Sequence, residues 1–345
     1  LSLVIILFFE RENHIFFVKI IQPMKKVLFI NQAHRVLEAK LTEIGFHCES
    51  DFTSSKEEIE AKIHNYFGVI LRSRIDIDQS FLEAATNLKF VAREGVGLEH
   101  IDVEFAKKKE ITVIYSPEGS RDTVAEHTMG LLLCLLNNLS RADRQIRNKK
   151  WLREPNRGIE IKGKTVGILG YGNMGQAVAK RLSGFGVKVI AYDKYKTNYG
   201  DDFAQEVDLK TLLSETDILS LHIFYEPDNH HFVNHNFIQN FKKDLFIINT
   251  ARGLVLNTAD LVKNLKSGKV RGAALDVLEY EEQAFEVFDF EKPPTPFAYL
   301  LEAENVVLSP HIAGWSYESK EGHGRVLGTK IEDWLITKRN NTLID

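Results

Sequence analysis

The chain has 345 residues, 44% of them hydrophobic, so it can fold two ordinary domains, while a formal net charge of -4 with no long basic run gives no support for a nucleic-acid partner. Its two cysteines, Cys48 and Cys134, lie far apart in apolar surroundings and read as reduced core or helix residues, not a disulfide or a metal site. The apolar runs at 1–9 and 15–21 are each shorter than the roughly 18 to 20 residues that span a bilayer, and the first lacks the basic start and cleavage site of a signal peptide. Residues 1–23 therefore read as an extension ahead of a natural start at Met24, and the expectation is a cytoplasmic chain with no membrane partner.

Strand-helix alternation begins at once. Short apolar runs fit strands at 26–31, 46–51, 67–71, 88–92 and 111–114, and one-sided charged stretches fit helices at 34–44, 56–65, 78–86 and 99–109. Such alternation argues for a mostly parallel sheet covered on both faces. Residues 121–149 form a long helical pattern in which Val124, Met129, Leu131, Leu132, Leu135, Leu136 and Leu139 make an apolar band. A helix so apolar is normally core, and part of it suits a subunit contact.

At 165–170 an apolar strand runs into Gly170-Tyr171-Gly172-Asn173-Met174-Gly175, then a helical pattern, then a strand ending at Asp193. This is the order of a dinucleotide-binding β-α-β unit: Gly170 allows the tight turn, Gly172 the approach of a diphosphate, and Gly175 close helix-strand packing. Further strands fit at 187–192, 217–221, 245–249, 270–275 and 305–308, with helices at 173–184, 208–214, 234–240 and 257–267. Six strands complete a doubly wound dinucleotide domain. Residues 282–301, with three prolines, read as a long loop holding one short helix, and a last helix at about 317–337 is expected to pack on the first domain.

Three segments after strand ends carry reactive groups: Arg252, the acids within 276–281, and His311. Strand C-termini of a parallel sheet face the ligand crevice. An arginine holds a carboxylate with a two-pronged contact, and a histidine exchanges a hydroxyl proton near neutral pH. A carboxylate beside that histidine orients its ring and favours its charged form. Together these are the parts that oxidation of a 2-hydroxy acid requires. His230, His231 and His235 lie close together, but a wet loop and helix start explains them better than a metal site.

The chain resembles the D-isomer-specific 2-hydroxyacid dehydrogenases over residues 24–345. The resemblance rests on Arg93-Glu-Gly-Val-Gly97, Val124-Ala-Glu126-His127, the Gly170–Gly175 turn, Asn249-Thr-Ala-Arg252-Gly253, Asp276-Val-Leu-Glu-Tyr-Glu281 and Ser309-Pro-His311-Ile-Ala-Gly314. It implies two doubly wound α/β domains, a Rossmann cofactor domain at 121–307 inserted in a flavodoxin-like substrate domain of 24–120 plus 308–345, and a homodimer. It also implies NAD as cofactor, held by residues 170–175, Asp193, Thr250, Ala251 and Asp276. Asp193 would hold the adenosine ribose and repel the 2'-phosphate of NADP. Arg252 would bind the substrate carboxylate and orient the carbonyl, with the backbone of Val96 and Gly97. His311 would be the general acid/base, paired with Glu281 and not with the nearer Glu279. Two positions depart from the family pattern: Ser120 stands where many relatives have asparagine, and Glu282 where proline is common.

Arg72 and Ser73 match a segment that faces the far end of the substrate in phosphoglycerate dehydrogenases. The leading expectation is thus a short-form D-3-phosphoglycerate dehydrogenase of serine biosynthesis, acting on a small-molecule acid. The alternatives are a glyoxylate/hydroxypyruvate reductase or another D-2-hydroxyacid dehydrogenase, and a catalytically silent NAD-sensing protein.

Overall fold

The computed structural model describes residues 24–281 and 292–342. The chain divides into two compact units, one made of residues up to Ser116 and from His323 onward, the other of Pro117–Gly322. The expected crossings at 120/121 and 307/308 thus fall at 116/117 and 322/323.

In the first unit, β1 (Lys25–Phe29), β2 (Phe46–Ser50), β3 (Gly68–Leu71), β4 (Phe90–Arg93) and β5 (Thr112–Tyr115) form one parallel sheet in the order β2-β1-β3-β4-β5. That is the flavodoxin-like order, with its switch point between β1 and β3. Helices α1 (Arg35–Glu43), α2 (Lys56–Ile63), α3 (Gln79–Ala84) and α4 (Val103–Lys108) supply the crossovers. Their starts follow from short polar caps. Ser55 and Glu58 close a reciprocal capping box on α2. Asp102 accepts from the Phe105 amide, so α4 begins later than the expected position 99.

Alternate strand residues face opposite layers. Leu28, Val69, Leu71 and Val91 pack with Ile59, Ile63 and Phe81. Val27, Phe29, Ile70 and Phe90 pack with Leu37 and Leu41 and with Leu327, Ile331 and Leu335 of the C-terminal helix Tyr317–Thr342. Trp334 seals this layer, its ring 5.4 Å from Phe90 and its indole N–H donating to Thr112. The expected return of the last helix is therefore observed.

The second unit starts with α5 (Arg121–Leu136) and α6 (Leu139–Arg147), and continues with β6 (Thr165–Leu169), α7 (Asn173–Leu182), β7 (Lys188–Tyr192), β8 (Gln205–Glu206), α8 (Leu209–Glu215) and β9 (Ile218–Leu221). It closes with α9 (His235–Gln239), β10 (Leu245–Asn249), α10 (Thr258–Ser267), β11 (Val270–Leu275), α11 (Thr295–Glu302) and β12 (Val306–Leu308). The parallel sheet runs β12-β11-β10-β9-β6-β7-β8. Counted from β6, this is the Rossmann order 3-2-1-4-5-6 with a seventh strand added, and its switch point lies between β6 and β9. The added strand is β12, while the third strand of that order, β8, which was not among those expected, is a two-residue Gln-Glu pairing on β7 with no apolar signature in the sequence.

The long helix expected at 121–149 breaks at Asn138, whose φ of 55° is left-handed. Val124, Met129, Leu131, Leu132, Leu135 and Leu136 are buried, whereas Leu139, past the break, is 55% exposed. Each of these six buried side chains contributes roughly 1.5–3 kcal/mol relative to exposure. All but Val124 lie with Ile168, Ile248 and Ala274 against one sheet face. The expected short helix within 282–301 is α11; residues 282–291 lie outside the described residues. No described helix is long and apolar enough to cross a membrane.

Candidate active site

The glycine turn sits at the switch point of the second unit. Gly170 has φ +92°, and a Cβ there would lie 2.7 Å from the carbonyl oxygen of His222, which follows β9. A Cβ on Gly175 would lie 2.3 Å from the Gly170 carbonyl oxygen, so α7 packs down on the turn only because the side chain is absent. Gly172 instead faces open space, with nothing within 4 Å of an added Cβ.

Asp193, following β7, braces this cradle. Its Oδ2 accepts from the Tyr171 amide and its Oδ1 from the Tyr195 amide, each at 2.9 Å. Tyr171 is wholly buried, donates its hydroxyl to Asp201, and has its phenol pKa raised by burial and by that carboxylate. The amide of Asp193 in turn donates to the Tyr199 hydroxyl. His222 is half-buried, but its Nδ1 is buried without a protein partner, and burial pushes its pKa down to about 4. Its Nε2 meets Ser220 Oγ at 2.8 Å. An open glycine turn at a helix start, an acid at the end of the next strand and an unmatched ring nitrogen beside them fit a bound dinucleotide.

The reactive side chains gather at neighbouring strand ends. At the end of β10, Asn249 ties the loop that follows, accepting from the Ala251 amide and donating to the Arg252 carbonyl, both at 3.0 Å. Thr250 is buried, its hydroxyl 2.9 Å from that of Thr128 on α5. Arg252 Nη1 donates to the Ala251 carbonyl at 2.8 Å. Gly253 then presses against the turn after β11: a Cβ there would lie 2.0 Å from the Leu278 carbonyl oxygen.

On that turn the two acids have different partners. Glu281 Oε2 meets His311 Nδ1 at 2.5 Å, and its Oε1 accepts from the Leu278 amide. Glu279 Oε2 accepts from the Thr258 amide at the start of α10 and lies 3.1 Å from His231 Nε2. His231 Nδ1 meets Asn257, its ring stacks on His230 at 3.9 Å, and His235 meets Asn264. Among the described residues no group of three or more metal-ligating side chains forms.

His311 itself has φ +54°, a left-handed conformation that costs a non-glycine residue on the order of 1–3 kcal/mol. Asp276 holds it there. The His311 amide donates to the Asp276 carbonyl at 2.7 Å, and the Ile312 and Ala313 amides donate to its carboxylate at 2.9 and 2.8 Å. Ser309 Oγ donates to the same carboxylate at 2.6 Å, and His127 Nε2 lies 3.3 Å from it. Burial alone would raise the Asp276 pKa, but His127, Ser309 and the two amides outweigh it and hold the group below the ordinary value. These bonds also explain why residues 308–322 belong to the second unit rather than, as expected, to the substrate domain.

Arg72, Ser73, Val96 and Gly97 belong to the first unit. Arg72 and Ser73 follow β3 at that unit's switch point, the Arg72 amide donating to Asn31 beyond β1 at 2.8 Å. Arg74 is spent on the fold, donating to the carbonyls of Ile30, Asp51 and Ser54. Val96 ends the bend after β4, and Gly97 follows it. Ser120 is buried and precedes α5 without a side-chain capping bond. Sequence reasoning assigned no role to His127, Ser309 or His222, although the first two stand inside motifs it singled out.

A Rossmann-ordered sheet with a glycine cradle, an acid after its second strand and a histidine-carboxylate pair at its strand ends defines an NAD-dependent oxidoreductase. Residues 129–313 match the family model for the D-isomer specific 2-hydroxyacid dehydrogenase, NAD binding domain. The chain is 38% identical over 278 residues to a hydroxypyruvate reductase of Thermotoga maritima, covering 80% of this chain and 87% of that protein. It is 33% identical to a D-3-phosphoglycerate dehydrogenase of Archaeoglobus fulgidus, covering 83% of this chain but only 53% of that one. The crystal structure of Aquifex aeolicus D-lactate dehydrogenase complexed with NAD and lactic acid superposes with a TM-score of 0.75 at 25% identity, covering 92% of this chain and 97% of that one. The protein belongs to the D-isomer specific 2-hydroxyacid dehydrogenase family, and NAD is its cofactor.

Proposed function

We propose that the enzyme interconverts a small 2-hydroxy acid and its 2-oxo acid, with His311 as the proton carrier. The 2.5 Å contact between His311 Nδ1 and Glu281 carries this reading. It fixes the orientation of the imidazole ring, and Nε2 is the nitrogen assigned to exchange the substrate proton. When bound, NAD supplies the hydride acceptor or donor. In oxidation His311 Nε2 takes the C2 hydroxyl proton as the carbonyl forms, and in reduction it returns that proton. Arg252 holds the substrate carboxylate by a two-pronged contact and polarises the adjacent carbonyl.

The favoured pair is D-3-phosphoglycerate and 3-phosphohydroxypyruvate, as in serine biosynthesis. Its support is Arg72 at the switch point of the first unit, where a guanidinium suits a distal phosphate. Hydroxypyruvate or glyoxylate is the second reading. It is supported by the near full-length match to the Thermotoga reductase and by the commitment of Arg74 to backbone carbonyls, which leaves that stretch one cation fewer for a phosphate. A homodimer is also proposed. Helix α6 buries none of its residues, and Leu139, Ile146 and Trp151 on and after it are exposed, a surface suited to a second copy.

Steady-state assays with 3-phosphohydroxypyruvate, hydroxypyruvate, glyoxylate and pyruvate test the substrate. The highest kcat/KM is expected for the phosphorylated acid, and a preference for an unphosphorylated one would move the assignment to the second reading. His311→Asn is expected to keep NAD binding and lose about 100- to 10,000-fold in kcat. Turnover near the wild-type rate would remove His311 from the mechanism.

A further inference from the structure

The reaction asks His311 to keep one ring nitrogen on Glu281 and the other on substrate, yet its backbone sits in a conformation that non-glycine residues rarely adopt. The cause of that conformation lies outside the reacting groups. Asp276 Oδ1 takes Ser309 Oγ and the Ile312 amide, Oδ2 takes the Ala313 amide, and the side chain has no solvent exposure. His127, on α5, reaches the same point from a third element. Its Nε2 lies 3.1 Å from Ser309 Oγ and 3.3 Å from Asp276 Oδ1.

The protons in this cluster are fixed by counting. The serine hydroxyl has one hydrogen, and the 2.6 Å contact assigns it to Asp276. Towards His127 the serine oxygen is therefore an acceptor, so His127 carries its proton on Nε2. That one N–H is shared between the serine and the carboxylate. A carboxylate shut away from water cannot replace a lost donor with solvent, so the loss is felt by the other groups that hold it. Those groups are the hydroxyl and the two amides of the turn that carries His311.

We propose that His127 is a positioning residue for the reaction: through Ser309 and Asp276 it locks the 309–313 turn and so holds His311 in its left-handed, working orientation. The inference rests on His311 as the proton carrier. It predicts a loss in the chemical step with little change in cofactor affinity, because His127 acts on the turn and not on the glycine cradle, and the Asp276 side chain it meets has no exposed surface to offer NAD.

The test compares His127→Ala with His127→Gln, whose side-chain N–H extends about as far as Nε2. His127→Ala is expected to lower kcat about 10- to 100-fold and to leave KM for NAD within about threefold. Amide exchange at Ile312 and Ala313 should quicken by about tenfold or more. His127→Gln should recover most of both losses. Ser309→Ala removes the same bridge without touching α5, and should quicken the same two amides should His127→Ala fail to fold. Unchanged exchange in the alanine variants, or a glutamine variant as impaired as alanine, would overturn the proposal. The exchange measurement needs no turnover, so it decides the positioning role even if every 2-oxo acid failed as a substrate.

Discussion

Replacing Gly253 with alanine adds one methyl group at the point where the arginine loop presses on the turn bearing Glu281. The new Cβ would meet the Leu278 carbonyl oxygen at 2.0 Å, the Leu278 carbonyl carbon at 2.1 Å and the Glu279 nitrogen at 2.6 Å. All three are backbone atoms, so no side chain can swing aside. Ordinary contact begins at 3.4 Å, and the shortfall is 3.4 − 2.0, or about 1.4 Å. If the turn retreats as one piece, the 2.5 Å Glu281–His311 contact opens by at most about 1.4 Å, to about 3.9 Å and past hydrogen-bonding range where the retreat points away from His311. Misplacing a reacting group by about 1 Å costs on the order of 100-fold in rate, and overpacking costs about 1–3 kcal/mol of stability. Gly253→Ala is therefore expected to fold with a lowered midpoint, bind NAD, and lose about 100-fold in kcat/KM, read from NADH absorbance in the steady state. A variant within about threefold of wild type would show that the turn absorbs the methyl without moving Glu281, and the reasoning would fail.

Two further outcomes follow from the cofactor side. Asp193→Ala removes the proposed ribose acceptor and is expected to raise KM for NAD about 10- to 100-fold with kcat little changed, while NADP improves relative to NAD; an unchanged cofactor preference would remove Asp193 from recognition. His222 has its pKa depressed by burial to about 4, against about 6.5 in an unfolded chain. The stability contributed by its neutral form is thus full above pH 6.5 and is lost as pH falls towards 4. Urea titrations between pH 6.5 and 5 should show a slope of up to about 1.4 kcal/mol per pH unit from this group, absent in His222→Gln. An identical slope in the variant would contradict the assignment.

The strands were legible because a parallel sheet buried on both faces needs unbroken apolar runs, as at Val166–Leu169 and Phe246–Ile248. Strand β8 was not, because two polar residues on a sheet edge need no such run. The break after α5 was visible only as the polar pair Asn137-Asn138, and a left-handed Asn138 is decided by the packing on either side of it. At the site, Arg252 and His311 stood out by their place after strands. The choice of Glu281 over Glu279 came from resemblance, since spacing alone does not say which acid turns towards a histidine thirty residues on. The role of His127 was hidden for a stronger reason: its contact with Ser309 joins residues 182 positions apart, and no local pattern announces it.

The division of the chain also sets an order of birth. Leu327, Ile331 and Leu335 complete a core whose other half includes Val27, Phe29 and Leu37. Between those halves the ribosome must make all of Pro117–Gly322. At about 5–20 residues per second that takes roughly 10–40 s. The cofactor-binding unit is made throughout that interval, while strands made first wait with one face covered only in part, by Leu37 and Leu41. Newly made chains should therefore depend on chaperones through that first unit, however stable the finished enzyme becomes.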